Sequence, residues 1–214
     1  MKFLMSENYQ WMNELLDRPN PEIYLAYRTG LYTEKLNGIM GEIGYPEVLL
    51  KQIPTTFQDF ESNYIELFDV GVPNPPYPLL ETHYYTRDPA PAVIHENIMF
   101  YKAFGLELQS EKELPNHLIH QLEFLAYLTN LLENDNLNLS MEFKKGVLQA
   151  KIDYLSRHIF NWYPKMVQSM EENGLPEYYL PIFKCLLKLF EYDYEQTVDK
   201  IKELNILSHV PNPS

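Results

Sequence analysis

The chain has 214 residues, of which 45% are hydrophobic and 14% aromatic, and this composition excludes a disordered protein and suits one globular domain. Its formal net charge of −13 excludes nucleic acid as a main partner, because binding to phosphates needs a basic surface. An acidic surface can attract a cationic partner such as an arginine-containing peptide, or can serve only solubility.

Cysteine usage and hydropathy exclude further classes. Cys185 is the only cysteine, so neither an internal disulfide nor a cysteine-based zinc or iron–sulfur site can form. It stands in the apolar run IFKCLLKLF, which indicates a buried structural thiol. The N-terminus lacks the apolar stretch of a secretory signal, and no apolar run reaches the ~18 residues of a membrane span. We therefore expect a soluble, cytoplasmic protein that is not inserted into a membrane.

The N-terminal quarter predicts short helices. Ser6 is suited to cap a first helix that runs to about Leu16. Pro21 is suited to the first turn of a second helix, whose apolar stripe continues as far as Leu36. Three glycines then interrupt the pattern and predict only a short third helix: Gly38, Gly41 and Gly44. Helices within residues 1–53 could form a semi-independent layer of the single domain 1–214.

A proline-rich loop is predicted near residues 69–91. Thr55 or Thr56 can cap the preceding helix, which ends at Phe68. Six of the chain's 16 prolines lie between Pro73 and Pro91, and a proline has a fixed φ and no amide donor. Such a stiff, extended loop loses little entropy on binding, so it can hold a peptide or serve as a rigid connector.

Helical periodicity continues to the end of the chain. We expect a helix over 92–104 that ends before Gly105, and one over 116–134 that is apolar on two sides and therefore central. Ser140 opens the next helix, in which Phe143 is expected to face inward, and a break at 162–164 is followed by a short helix. A last long helix is either kinked by Pro181 or begins there. No segment alternates with the period of a strand. We predict an all-α single bundle of about 8–10 helices.

Signatures of catalysis are scarce in the sequence. The phosphate-binding patterns GxxxxGK[ST] and GxGxxG, the zinc pattern HExxH and the nucleophile pattern GxSxG are all absent. His117, His120 and Glu123 are spaced three apart on one predicted helix, so two of them could share a metal ion. No second cluster accompanies them, and we expect no cofactor. A helical metal- or nucleotide-dependent enzyme built on these three residues is the alternative hypothesis.

Three motifs carry a resemblance to a known family. The first is Tyr64-x-x-Leu67-Phe68 leading into Pro75-Pro76, the second is PNHL followed by LEFL within 115–125, and the third is HIFNWYP at 158–164. In this order and spacing they resemble the TorD/DmsD/NarJ family of molybdoenzyme maturation chaperones. The sequence from LFDVG to PPYPL is most similar to the branch that serves type II dimethyl-sulfoxide-reductase-like enzymes, such as selenate and chlorate reductases.

The resemblance implies a non-catalytic, all-helical chaperone. Its partner would be the catalytic subunit of a molybdopterin-containing oxidoreductase, bound through an N-terminal twin-arginine signal peptide until the cofactor is inserted. The peptide-binding residues that it implies are Leu67, Phe68, Pro75, Pro76, Tyr77, Glu81, Asn116 and His117.

The chain also departs from the family pattern in two places. Asn116 replaces an aspartate, which removes a carboxylate that could pair with arginine, and the loop reads PPYPLLE instead of PPYES. Asn116 can still cap its helix, and His117 could titrate or form a hydrogen bond near neutral pH. Core packing is the other interpretation of Leu67, Phe68 and Trp162. A purely structural subunit is a third hypothesis, and we expect a monomer or homodimer.

Overall fold

Helices form the regular structure of residues 4–85, 87–107 and 114–204, the parts of the chain that a computed structural model describes. The α-helices are α1 (Met5–Leu16), α2 (Pro21–Arg28), α3 (Leu31–Glu42), α4 (Phe57–Tyr64), α5 (Glu81–Tyr84), α6 (Ala90–Ala103), α7 (Leu118–Glu133), α8 (Met141–Tyr154), α9 (Phe160–Asn173) and α10 (Leu180–Glu203). Two π-helical turns extend α4 and α8, at Ile65–Asp69 and Leu155–Ile159, and a 3₁₀ turn spans Asp135–Leu137. No strand occurs in these ranges, so the prediction of an all-α fold is confirmed.

One hydrophobic core runs through the described bundle, from Met5 to Ile201. Helix α7 packs on both α1 and α8, and α10 packs on α8, α9 and α3. The helices before residue 53 share this core with the rest of the chain. None of the described helices combines the length and the apolarity that crossing a bilayer requires.

Aromatic side chains join α2, α4 and the start of α10. The Phe60 ring stacks on Tyr179 with centroids 5.8 Å apart, and Tyr27 lies 4.9 Å from Phe60. Phe68 contacts Tyr179 and Phe183 in the same cluster, so its side chain belongs to the core. Trp162 and the Cys185 thiol are buried as well, and burial raises the pKa of that thiol to about 12.

Several predicted helix ends are confirmed because their signals are local. The Thr56 hydroxyl accepts the Asp59 N–H at 3.1 Å, and the Ser140 hydroxyl accepts the Phe143 N–H at 3.2 Å. Gly105 follows α6 with a φ of 74°, which favours glycine. Pro181 lies in the first turn of α10 and marks its start.

The predicted cap of the first helix is wrong. Helix α1 begins at Met5, and Ser6 lies inside its first turn. The Glu133 carboxylate, at the end of α7, accepts the Met5 N–H at 2.8 Å, the Ser6 N–H at 3.2 Å and the Ser6 hydroxyl at 2.5 Å. An anion from a distant helix therefore satisfies amide donors that a local serine was expected to satisfy.

Glycines inside α3 do not break it, contrary to prediction. Gly38 and Gly41 are helical, and the breaks occur at Gly30 and Gly44, where φ is 80° and 77°. A glycine ends a helix where the chain adopts positive φ, and in a right-handed helix it costs only about 1 kcal/mol relative to alanine. The third helix is consequently longer than the glycine count suggested.

Two predictions for α8 and α9 also fail. No break occurs at 162–164, because Pro164 lies four residues into α9 and its missing amide deprives only the Phe160 carbonyl of a partner. Phe143 is 44% exposed instead of inward, and its ring lies 6.4 Å from that of Phe104. An apolar residue next to a helix start can thus lie outside the buried stripe.

A buried ion pair joins three helices. The Lys151 ammonium on α8 lies 2.7 Å from Asp193 Oδ1 on α10, and the Tyr9 hydroxyl on α1 donates to Asp193 Oδ2 at 2.7 Å. Lys151 and Asp193 are each only 2–3% exposed. Losing one charge leaves the other buried without compensation, which is far costlier than losing the pair.

Replacing Lys151→Met should destabilise the protein by ~3–5 kcal/mol, because Asp193 remains buried without its cation. Urea unfolding monitored by circular dichroism measures this change. The double variant Lys151→Met with Asp193→Leu should be less destabilised than the single one. Lys202→Met, which removes an exposed pair with Asp199, serves as the control and should cost about 0–1 kcal/mol. A single variant as stable as this control would contradict the prediction.

Candidate functional site

The end of the proline-rich loop is fastened to the start of α7. The Leu118 N–H donates to the Leu79 carbonyl at 2.9 Å, and the Glu81 N–H donates to the Asn116 carbonyl at 3.1 Å. Leu80 and His117 face each other in this antiparallel bridge. We call the pairing of 79–81 with 116–118 the clip. It places the end of the loop that follows the first sequence motif beside the second motif.

The loop turns sharply before it reaches the clip. A Cβ atom at Gly71 would lie 2.2 Å from the Asn74 carbonyl oxygen, so only glycine fits this close approach. Val70 and Val72 on this turn are 64% and 100% exposed. The Tyr77 N–H then donates to the Leu67 carbonyl at 2.9 Å and returns the loop to the end of the first π-helical turn. The turn presents apolar side chains to solvent.

The residues predicted to bind a peptide differ widely in exposure. Pro76 is exposed, whereas Leu67, Pro75 and His117 are half-buried. The other four are buried: Phe68, Tyr77, Glu81 and Asn116. The structure brings the loop members and the α7 members together through the clip, and direct contact of each with a peptide stays a prediction.

Glu81 is completely buried among residues that the sequence did not single out. Its carboxylate accepts hydrogen bonds from Asn97 Nδ2 at 3.0 Å and from Gln121 Nε2 at 2.7 Å. His158 Nδ1, from the third motif, lies 2.9 Å from Glu81 Oε1. Glu81 therefore joins the loop to α6, α7 and the second π-helical turn. Asn97 and Gln121 lie in ordinary helical patterns, and only polar residues at core-facing positions could have indicated them.

The start of α7 is capped one residue later than predicted. His117 is the N-cap, and its Nδ1 accepts the Ile119 N–H at 3.3 Å. Asn116 instead donates from Nδ2 to the Thr82 hydroxyl at 2.9 Å, while its carbonyl belongs to the clip. The clip thus fixes Asn116 toward α5 and leaves the capping position to His117.

Of the two roles predicted for His117, the structure shows the hydrogen bond and not titration near neutral pH. Burial and, to a smaller extent, the nearby His120 lower the pKa of His117 to about 4, and Asp17 opposes both. The imidazole is therefore neutral at pH 7, with a lone pair on the nitrogen that accepts the Ile119 N–H. Protonating this nitrogen would remove the acceptor of the helix cap.

Two aspartates lie at the end of α1 and at the end of the first π-helical turn, and one of them is near His117. Asp17, at the end of α1, is within electrostatic range of both His117 and Asp69. Both aspartates are exposed; partial burial raises the pKa of Asp69, Arg18 opposes this and Asp17 adds to it. We call Asp17 and Asp69 the acidic edge. Together with the exposed Val70 and Val72, the acidic edge offers both negative charge and apolar surface next to the clip.

The described residues give the metal hypothesis no site. No three His, Cys, Asp or Glu side chains in these ranges are placed to hold one ion. His117 Nδ1 accepts a backbone amide, and His120 Nδ1 lies 3.0 Å from Glu123 Oε2. The hydrogen bond from His120 lowers the pKa of Glu123. The spacing of three along the helix produces a local pair instead of a ligand set.

A groove of about 400 Å³ lies apart from the clip, between the segment after α3 and the start of α10. Its lining includes Tyr45, Leu49, Leu180 and Cys185. Lys184 and Lys188 also line it, and they pair with Glu171 and Glu191. None of the residues predicted to bind a peptide lines this groove.

The fold and the site together define an all-helical protein in which a proline-rich loop is held against the start of one helix. Residues 44–168 match the family model described as nitrate reductase delta subunit, a range that contains all three motifs. Because this match covers more than half of the chain, the chain belongs to that family.

Three curated relatives are similar to this chain. A perchlorate reductase assembly chaperone protein of Dechloromonas aromatica is 28% identical over 114 residues, 53% of this chain and 50% of the relative. A chlorate reductase assembly chaperone protein of Ideonella dechloratans is 31% identical over 115 residues, which are 53% of this chain and 58% of the relative. A selenate reductase assembly chaperone protein of Thauera selenatis is 27% identical over 117 residues, which are 54% of this chain and 60% of the relative. The alignments thus span only 50–60% of these relatives' lengths.

A solved structure from Archaeoglobus fulgidus, of a candidate redox enzyme maturation protein, has the same fold. The TM-score is 0.52 at 16% sequence identity, with 88% of this chain and 96% of that one covered. The arrangement of helices is therefore shared over nearly the whole length, although few residues are identical.

Lowering the pH from 6.5 to 4 should destabilise the protein through His117, whose pKa falls from an ordinary 6.5 to about 4 on folding. The stability from this group is fully present above pH 6.5 and is lost as the pH falls through 4, by at most about 3 kcal/mol. The variant His117→Asn keeps a capping oxygen and cannot titrate, so its stability should fall less over this range. Urea unfolding at several pH values between 7.5 and 4 measures the difference.

The matched control is His95→Asn, which changes an exposed histidine on α6 and should retain the wild-type pH dependence. If His117→Asn and wild type lose stability equally between pH 6.5 and 4, the assignment of this dependence to His117 is wrong.

Proposed function

We propose that this protein is a non-catalytic assembly chaperone for the catalytic subunit of a molybdenum-cofactor oxidoreductase. The observation that carries the proposal is the family match over 44–168, together with three relatives that are themselves reductase assembly chaperones. The chaperone acts in the cytoplasm, where it holds the apo subunit until the cofactor is inserted and export can follow. We place its client among the type II dimethyl-sulfoxide-reductase-like enzymes, as the relatives' reductases suggest.

The recognised element in this proposal is the client's N-terminal twin-arginine signal peptide. A signal peptide joins a cationic segment to an apolar stretch. The acidic edge supplies exposed carboxylates for the arginines, and exposed valines on the turn at 70–72 supply apolar contact. The chain's net charge of −13 favours the approach of such a peptide from a distance.

His117 contributes shape and a helix cap in this proposal, and it carries no charge at neutral pH. A neutral imidazole beside the acidic edge does not compete with a bound arginine. Protonation would add a positive charge that repels the peptide, so binding should weaken at pH values close to 4.

Removing the acidic edge should weaken binding of the signal peptide. In the double variant Asp17→Asn with Asp69→Asn, we expect about a tenfold or greater increase in Kd, because two charge-assisted contacts to arginine are lost. Isothermal titration calorimetry with a synthetic peptide from the host reductase's N-terminus measures the change. The wild-type Kd should also rise with salt concentration.

The control variant Glu34→Gln with Glu42→Gln removes the same charge from exposed positions on α3 and should bind nearly as tightly as wild type. A peptide with Lys-Lys in place of Arg-Arg tests whether the fork geometry of arginine matters. If wild type gives no heat with the peptide, and co-expression with the complete reductase subunit yields no complex, the proposed function is wrong. If both double variants lose affinity equally, the acidic edge is not the binding site.

A further inference from the structure

A buried polar cluster lies beneath the clip. We call it the Glu81 lock and define it by five side chains, each at most 1% exposed: Glu81, Asn97, Gln121, Tyr154 and His158. They come from the start of α5, from α6, from α7, from the end of α8 and from the second π-helical turn. The lock therefore adds side-chain hydrogen bonds between elements that the clip and apolar packing also hold together.

The hydrogen bonds of the lock are arranged around one carboxylate. Glu81 Oε2 accepts from Asn97 Nδ2 at 3.0 Å and from Gln121 Nε2 at 2.7 Å, and Oε1 faces His158 Nδ1 at 2.9 Å. The Tyr154 hydroxyl donates to Asn97 Oδ1 at 2.7 Å and so orients the amide of Asn97. A single proton lies along the contact between Oε1 and Nδ1, because only one of these two atoms can donate.

The lock and the clip meet in the same residue. The side chain of Glu81 belongs to the lock, and its backbone N–H donates to Asn116, the neighbour of His117. On the other side, the Tyr101 hydroxyl lies 3.1 Å from the Tyr154 hydroxyl and donates to the Pro115 carbonyl at 2.6 Å. The polar cluster thus holds the 79–81 side of the clip through Glu81, and Tyr101 holds the other side through Pro115. A displacement of Glu81 would disturb its hydrogen bond to Asn116 at the start of α7.

The lock is not saturated with hydrogen bonds. His158 Nε2 and Gln121 Oε1 are buried without a hydrogen-bond partner among the described residues. The nearest carboxylate to His158 Nε2 is that of Glu96, at 4.0 Å, and Glu96 pairs with Arg157. Water would satisfy both atoms if the lock opened, which offsets part of the cost of opening. A polar lock of this kind can loosen the clip without unfolding the helices.

We propose that Glu81 and His158 are positioning residues for the surface that includes His117 and the acidic edge. The lock holds the clip closed, and the closed clip fixes the loop against α7 in the arrangement that binds peptide. Its opening loosens the pairing of 79–81 with 116–118 while the helices stay packed. This inference rests on the proposed function for its consequence on binding, but the effect of the lock on the clip is independent of any ligand.

Hydrogen exchange tests the lock without a ligand. In Glu81→Ala, the amides of Glu81 and Leu118 should exchange at least tenfold faster than in wild type, because these two donors form the clip. The control Leu189→Ala makes a cavity in the buried part of α10 and should not affect these two amides selectively. Unchanged exchange at both amides in Glu81→Ala would overturn the proposal. If Glu81→Ala does not fold, the same measurement is made on Asn97→Ala, which removes one hydrogen-bond donor of the lock.

A conservative variant tests the chemistry of the contact. In Glu81→Gln, the new amide oxygen can accept from Asn97 and Gln121, and the new NH₂ group can donate to His158 Nδ1 if the imidazole proton moves to Nε2. Exchange at the clip should therefore return to within about threefold of wild type. Nitrogen-15 NMR of the His158 ring should report a proton on Nδ1 in wild type and on Nε2 in Glu81→Gln. A ring proton on the same nitrogen in both proteins would overturn this account of the lock.

Calorimetry with the reductase signal peptide tests the consequence for binding. Glu81→Ala and His158→Phe should raise the Kd about tenfold, whereas Glu81→Gln and Leu189→Ala should leave it nearly unchanged. If clip exchange rises in Glu81→Ala but the peptide binds as in wild type, the lock does not position the binding surface. If wild type binds no peptide, the proposed function fails, and the exchange and NMR measurements still decide whether the lock holds the clip.

Discussion

The buried carboxylate of Glu81 is the constraint on which the arrangement of the site depends. An ionisable side chain with no exposure is tolerated only when its oxygens are fully hydrogen-bonded, and here Asn97, Gln121 and His158 surround it. These partners come from three different elements, so they fix the end of a loop whose prolines can form few backbone hydrogen bonds of their own. The clip, the cap of α7 and the position of His117 all follow from where Glu81 is held.

The chain uses buried charge in a second place for a different purpose. Lys151, Asp193 and Tyr9 join α1, α8 and α10 through a buried ion pair and a hydrogen bond. Both clusters specify which helices meet, since apolar faces alone permit several alignments. The Lys151 pair fixes the frame of the bundle, and the Glu81 lock fixes the loop upon that frame.

The sequence predicted much of the fold and part of the site. Helix content and the ends at Thr56, Ser140, Gly105 and Pro181 were correct, because capping and periodicity act within a few residues. The motifs identified the segments that meet in the site, but not the role of each side chain. Glu81 was expected at a binding surface, but its side chain is buried. Asn116 was expected to cap α7, but its side chain donates a hydrogen bond to Thr82. Asn97 and Gln121 stood in ordinary helical patterns and gave no signal.

The sequence by itself determined an all-α protein with a stiff proline-rich loop and an acidic character, since these properties depend on composition and on neighbours along the chain. Only the tertiary structure decided which polar groups satisfy each other. Glu133 accepts hydrogen bonds from the start of α1, 127 residues away from Ser6 in sequence. His158 contacts Glu81, which is 77 residues away in sequence. Such pairs depend on helix packing in three dimensions, and a buried polar atom takes whichever partner that packing brings within hydrogen-bond distance.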